Sequence, residues 1–403
     1  MDTPKRMLTP TGSEPPGPEP VIPAGPGESW VPPASPPPGA PEEAPPEPPP
    51  RKRRRLRTYL AVVGVLLVTG FVVSASVVPL PYYAFRPGAV RETESLISVG
   101  GDTEVFPAKG SISYTTVSLR QATLFGLIQG WLDDDVDVHP EEDVLGDRDA
   151  DENRTFNLAL MDDSKNVAAQ VALEHLGYDV PVTCDGELVV DVSKGSAADG
   201  VLTPGDTIVA VDGEAITTPD DLQRMMDGKK PGDTVRLSVE KPGEEATDVD
   251  VTLTAAPDDP ARGVVGVVVQ PRNVSYDFPV DVEIDTGDVG GPSAGLAFTL
   301  GILDDLTPGE LTGGEAVAVT GTISPDGTVG PVGGTGQKAA AVRNAGIDTF
   351  LVPTADYEDA EARAGDVHVV PVDNVDEALA ALADLGGNGL DLPDSRELAA
   401  AAG

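Results

Sequence analysis

From Thr58 to Val78 the chain reads TYLAVVGVLLVTGFVVSASVV, twenty-one residues without a charge. At about 1.5 Å per residue, a helix of that length spans a hydrocarbon core of about 30 Å. The run therefore splits the chain into a part before a membrane span and a part after it. RKRRRLR (Arg51–Arg57) sits directly before it, and clustered basic residues favour the cytoplasmic side. That puts the N-terminus in the cytoplasm and everything after Val78 outside it, with Tyr82 and Tyr83 suited to the outer interface. The competing reading is a cleaved signal peptide, with Ser74–Ser76 (SAS) as the small-residue cleavage site. A proline-rich leader of about fifty residues is unusual ahead of a signal peptide, so a retained anchor is favoured.

The two sides differ in composition. The first fifty residues hold nineteen prolines and almost no apolar period, too little burial to offset chain entropy, which predicts disorder over 1–57. Residues 1–58 carry eight Lys/Arg and seven Asp/Glu, a net charge of +1; the remaining nineteen and sixty give −41 for residues 79–403. So acidic a body repels phosphate backbones and anionic lipid, which argues against nucleic acid as a partner. The single cysteine, Cys184, allows no intramolecular disulfide and reads as a small, semi-buried residue.

Residues 79–179 form a mixed region. Tyr114–Leu132 and Asn157–Tyr178 each read as a helix with an apolar stripe, Gly177 stopping the second. The acidic stretch Asp133–Glu152 between them lacks the calcium-loop order of an EF-hand and reads as a solvated loop. No metal site is expected.

From Val180 to Ala256 short β-rich runs alternate with Gly, Pro and Asp. Gly205-Asp206 turns the chain into the alternating run Thr207–Val211, and Asp212-Gly213 is a tight-turn signal. With LTPGDTIVAVDG (Leu202–Gly213) and a helix after Thr218, this segment resembles a PDZ domain. The resemblance implies a sheet edge beside a helix, where an extended peptide adds as a strand. It places the groove walls at Glu187–Val192 and Thr218–Asp227, with Leu188, Val190, Val192 and Leu222 touching peptide. A packing module without a ligand is the alternative.

Beyond Asp258 the pattern is α/β. Val264–Val269 and Val280–Ile284 read as strands, and Pro292 as the first residue of a helix running to Asp305. Ala316–Ile323 is a further strand, and Gly336–Gly346 a helix capped by its last glycine. Ser293 stands at a helix start in GGPSAG (Gly290–Gly295), and a serine needs a base to attack. The three histidines, His139, His175 and His368, lie in an acidic loop, on a helix and on a strand. Lys338, in GPVGGTGQKAAAV, is the one lysine after Lys241. An isolated lysine among small and apolar residues fits a buried amine acting as a base. Backbone N–H groups at the helix start, those of Gly291 or Ser293, suit an oxyanion, and Gly290 and Gly291 let a peptide backbone approach.

GGPSAG, VTGTI (Val319–Ile323) and VGPVGGTGQKAAAVRNAGIDTFLVP (Val329–Pro353) resemble the proteolytic domain of Lon-type serine proteases over about 130 residues. With the anchor and the PDZ-like module, the chain is similar to the bacterial PDZ-containing Lon-like membrane proteases. The resemblance implies a Ser-Lys dyad, with Ser293 as nucleophile, Lys338 as base and Thr320 hydrogen-bonding the amine. Thr322 and Gly290 stand where cytosolic Lon has acidic residues. GPVGGTGQKAA is not a phosphate loop, because Gln337 and Ala339 flank Lys338 where Gly and Ser/Thr are needed. Neither nucleotide nor any other cofactor is expected.

The whole reads as an α+β multidomain chain. Residues 1–57 are a proline-rich cytoplasmic segment, 58–78 a single transmembrane helix and 79–179 a mixed N-terminal region of the ectodomain. A PDZ-like β domain follows at 180–256, a Lon-type α/β proteolytic domain at 257–386 and a flexible tail at 387–403. The expected activity is ATP-independent endopeptidase action on unfolded or exposed protein segments outside the cytoplasmic membrane. Analogy with ring-forming Lon relatives adds a homo-oligomer. A catalytically silent, membrane-tethered PDZ scaffold is the alternative, and loss of function in Ser293→Ala separates the two.

Overall fold

Alternation along the strand Ala316–Val319 sets the central architecture. Val317 and Val319 join one apolar cluster and Ala318 another, as the two-residue period of a strand requires. The computed structural model describes residues 51–101, 103–393 and 397–398. The chain divides into two units, 1–66 and 67–403. Residues 1–50 of the expected disordered segment lie outside the described residues, whereas 51–57 form the first turns of a helix.

Along the chain the helices are α1 Arg51–Val77, α2 Leu124–Leu132, α3 Glu141–Leu145, α4 Ala150–His175, α5 Asp221–Met226, α6 Gly295–Leu306, α7 Thr335–Ala345, α8 Tyr357–Ala364 and α9 Val375–Asp384. Within α1, Arg55–Val77 is long and apolar enough to cross a membrane, by length and composition.

One mixed sheet runs in the order His368–Val372, Thr349–Pro353, Ala316–Val319, Ser111–Gln121, Tyr82–Glu92, Asp137–Pro140. Its first four strands pair in parallel and its last three antiparallel. One face is covered by α4, α6 and α9 around Tyr114, Leu173, Phe298 and Leu379, all buried. The other is covered by α7 and α8 around Phe350, Val342 and Ala360.

This sheet corrects the sequence reading in three places. Residues 79–179 do not stand apart from the domain expected at 257–386, because three of their strands share its sheet. Ser111–Gln121 is a strand and not the first half of a helix; the β-branched run Thr115–Thr116–Val117 favours extended chain, and only Leu124–Leu132 is helical. The acidic stretch after it holds the strand Asp137–Pro140 and α3 and is not a bare solvated loop. At the other end, Gly387 and Asn388 hydrogen-bond back to Leu382 and Glu310. The expected flexible tail therefore starts packed, and its residues 394–396 and 399–403 lie outside the described residues.

A second sheet is wholly antiparallel, in the order Thr247–Thr252, Thr234–Glu240, Thr207–Val211, Glu187–Val192, Val267–Pro271. It encloses its own core of Val189, Ile208, Leu237 and Val251. Val267–Pro271, expected in the following domain, is the edge strand of this one.

Candidate active site

Thr320 follows Val319 at the end of its strand, with its N–H donated to the Leu351 carbonyl at 3.0 Å. By alternation it shares the parity of Ala318, the face on which α7 packs. Lys338, in the first turns of α7, is 2% exposed, and its Nζ donates to Thr320 Oγ1 at 2.9 Å. Thr320 Oγ1 in turn donates to the Ser293 carbonyl at 3.1 Å. The three residues therefore form one hydrogen-bonded chain from the Lys338 amine to the Ser293 backbone.

The Ser293 segment is clamped to the strand end in both directions. Gly321 N–H donates to the Ser293 carbonyl at 3.0 Å, and Leu296 N–H to the Gly321 carbonyl at 3.2 Å. That second bond replaces the helical bond Leu296 would make to Pro292, so α6 begins at Gly295 and Pro292 is not its first residue. Ser293 lies in the turn before the helix, half-buried.

Helix α4 supports this turn from behind. Arg154 pairs with Asp288 at 2.8 Å, the Asn157 carbonyl accepts from Gly291 N–H at 2.7 Å, and Ser164 Oγ donates to the Pro292 carbonyl at 3.0 Å. Gly291 adopts φ +93°, where side chains with a Cβ are strained. A Cβ on Gly295 would lie 2.7 Å from Ile323 and 2.9 Å from Ser164. A Cβ on Gly290 would sit 3.0 Å from Asn157, so packing on α4 accounts for that glycine. The expected oxyanion role of Gly291 does not fit, because its N–H is already donated. Among the described residues, the N–H groups of Ser293 and Ala294 have no intramolecular acceptor, and they are the free donors beside the hydroxyl. Arg154, Asn157 and Ser164 escaped the sequence reading because they lie more than a hundred residues upstream of the loop they hold.

Burial holds the Lys338 amine down at about 7, partly opposed by the Asp356 charge. Little else neutralises it, since Thr320 is its hydrogen-bond partner. Asp356 accepts from Val332 N–H at 2.7 Å and Asp359 from Gly336 N–H at 2.8 Å, which fixes the start of α7. From the acidic stretch, Asp137 takes Gln337 at 2.6 Å and Arg363 at 2.8 and 3.0 Å, while Asp135 pairs with Arg343 at 2.6 Å. Desolvation acts against the Asp137 carboxylate, but the bonds from Arg363 and Gln337 outweigh it and hold its pKa below the usual value. His139 and His368 are exposed on strands, and His175 lies 3.9 Å from Asp376.

In the second sheet, a groove of about 890 Å³ lies between α5 and the edge strand Val267–Pro271. Leu222, Met226, Val265, Val267 and Val269 line it. Of the four expected peptide contacts, only Leu222 is there. Glu187–Val192, carrying Leu188, Val190 and Val192, pairs along one side with Val267–Pro271 and at its start, Glu187 and Leu188, with Thr207–Val211 on the other.

Residues 174–253 match the PDZ domain family, and residues 271–384 match the Lon protease (S16) C-terminal proteolytic domain. The chain is 34% identical over 110 residues to Lon protease of Campylobacter concisus, covering 26% of this chain and 13% of that protein. It is 32% identical over 114 residues to Lon protease 1 of Myxococcus xanthus, covering 27% and 14%. Thus it spans about one seventh of the length of these relatives. The crystal structure of the PDZ domain of the SdrC-like protein from Listeria monocytogenes is 29% identical, covering 21% of this chain and 87% of that chain, with a TM-score of 0.20. One chain thus carries a segment similar to PDZ domains followed by one similar to the Lon-type (S16) proteolytic domain.

Proposed function

We propose that the chain is a membrane-anchored endopeptidase that uses Ser293 and Lys338 as a dyad and needs no nucleotide. The observation that carries this reading is a buried lysine, held near neutrality and bonded through Thr320 to the Ser293 carbonyl. In its neutral form Lys338 Nζ takes the Ser293 Oγ proton as the oxygen attacks the peptide carbonyl carbon. The N–H groups of Ser293 and Ala294 hold the resulting oxyanion. The ammonium then returns the proton to the leaving amine as the C–N bond breaks. Water, deprotonated by the same amine, attacks the acyl-enzyme and releases the acid with Ser293 restored. Thr320 keeps the amine lone pair directed by accepting one of its N–H bonds.

The PDZ groove delivers substrate. An extended segment adds to the free edge of Val267–Pro271, and the N–H groups of Val265 and Gly266, which have no backbone acceptor among the described residues, receive a terminal carboxylate. α1 fixes the body to the cytoplasmic membrane with the N-terminus inside and both domains outside. Support comes from the basic residues directly before the apolar run.

The test is cleavage of an unfolded protein by the full chain in detergent, without nucleotide, beside Ser293→Ala. Wild-type turnover with a silent variant supports the proposal; a requirement for ATP, or undiminished Ser293→Ala activity, rejects it.

A further inference from the structure

Helix α2 turns its apolar side away from the protein. Gly130 lies on its inner side, where an added Cβ would lie 2.5 Å from Val138 and 3.5 Å from Val136. On the opposite side Leu124, Phe125, Ile128, Trp131 and Leu132 are all exposed, Trp131 at 87% and Leu132 at 76%. At about 100° per residue these five occupy an arc of about 120°. The helix carries no charge. Five large apolar side chains on nine residues exceed the scattered exposure normal for a soluble surface.

The neighbourhood of α2 says what covers it. Val78 N–H closes on Ser74 at the end of α1, and two residues later Leu80 N–H donates to the Ala122 carbonyl at 2.8 Å. Ala122 N–H returns to Tyr82 at 2.7 Å, and Thr123 caps α2. At no more than about 3.6 Å per residue, the start of α2 lies within about 20 Å of the end of α1. Val77, Val78, Tyr82 and Leu119 are exposed as well.

We propose that α2 is an interfacial helix, its Leu124–Leu132 apolar side bedded in the outer surface of the bilayer that α1 crosses. This rests on the reading of α1 as a membrane anchor. Its chemistry is apolar insertion and not attraction to anionic headgroups, because the helix is uncharged and residues 79–403 carry a net −41. Zwitterionic lipid therefore suffices. Docking also fixes the catalytic side of the body, since the segment leaving α2 supplies Asp135 and Asp137, which clamp α7 and α8.

The chain has two tryptophans, so full-length Trp30→Phe leaves Trp131 as the reporter. The chain is reconstituted into phosphatidylcholine vesicles whose acyl chains are brominated either near the headgroup or near the bilayer centre, and flotation is measured alongside. An interfacial helix sits about 5–10 Å into the boundary, so shallow bromines should quench Trp131 at least about twofold more than deep ones. Aqueous iodide should be excluded at any salt concentration. Flotation without bromolipid quenching overturns the role of α2 and leaves the anchor standing. Trp131 shielded from both quenchers in a protein-concentration-dependent way assigns the face to a second copy of the chain and also overturns it. Failure to float removes the anchor and this inference together.

Discussion

Lys338 carries the sharpest residue-scale consequences. A lysine held near 7 in place of 10.5 imposes on the order of 5 kcal/mol on the fold. The unfolded lysine is protonated below about 10.4 while the folded one stays neutral down to about 7, so this penalty grows as pH falls through that window and is constant below it. Lys338→Met should therefore unfold at higher denaturant than the wild type at pH 7, with the gain shrinking toward pH 10.5, and should cleave nothing. Equal gains at both pH values would mean that the amine is not held neutral. Lys338→Arg should also be inactive, because a guanidinium stays protonated at any working pH; wild-type turnover by that variant would place the base elsewhere. Thr320→Val should slow turnover about tenfold to a hundredfold and leave the substrate KM unchanged, since it orients the base without replacing it. Ser293 and Lys338 were legible in the sequence because their signals are local: small residues around one hydroxyl and a lone lysine among apolar neighbours. Arg154, Asn157 and Ser164 were not, because a bond made across 128 residues, as from Ser164 to Pro292, leaves no local pattern.

At the scale of elements, the groove and the strand beside it give a paired test. Leu222 lines the groove on α5, whereas Val190, 47% exposed, lies outside it on the neighbouring strand Glu187–Val192. Leu222→Asp should weaken binding of an extended C-terminal peptide at least tenfold, about 1.4 kcal/mol, and Val190→Asp should leave it unchanged. Calorimetric titration of both variants decides; weakening by Val190→Asp alone would return the groove to the Glu187–Val192 strand. The sequence pointed to that strand because its alternation is clear, while Val267–Pro271 reaches the sheet only after the excursion 253–266. The same limit produced the helix expected over Tyr114–Leu132. Apolar residues there satisfy a helical period, yet the chain is consumed as a strand until Gln121 because Ala316–Val319 and Tyr82–Glu92 pair with it. Short-range pattern names the elements, and distant partners decide between two readings of one pattern.

Across the whole molecule, the buried base and the buried acids respond to pH in opposite senses. Burial raises Asp304 to about 6, and Asp305 and Glu187 to about 7. Neighbouring carboxylates add to the rise in Asp304 and Asp305. A carboxyl with a raised folded pKa favours the fold most when protonated, so its contribution is present at low pH and is lost as pH rises from about 4 through its folded value. Lys338 adds a constant penalty below about 7. From pH 8 to pH 7 the Lys338 penalty still grows, but protonation of Asp305 and Glu187 near 7 and of Asp304 near 6 offsets that growth. Together these groups therefore do not loosen the fold between pH 8 and pH 6, while the amine proposed as base becomes protonated. Turnover should drop about tenfold between pH 8 and pH 6, following one ionisation near 7. The drop should reverse fully on return to pH 8, with near-UV circular dichroism unchanged throughout. An acid limb accompanied by loss of that signal, or by activity that does not return, would mean that unfolding sets the limb and not titration of Lys338. With the fold intact at pH 6, the acid limb reads the protonation of a single buried amine.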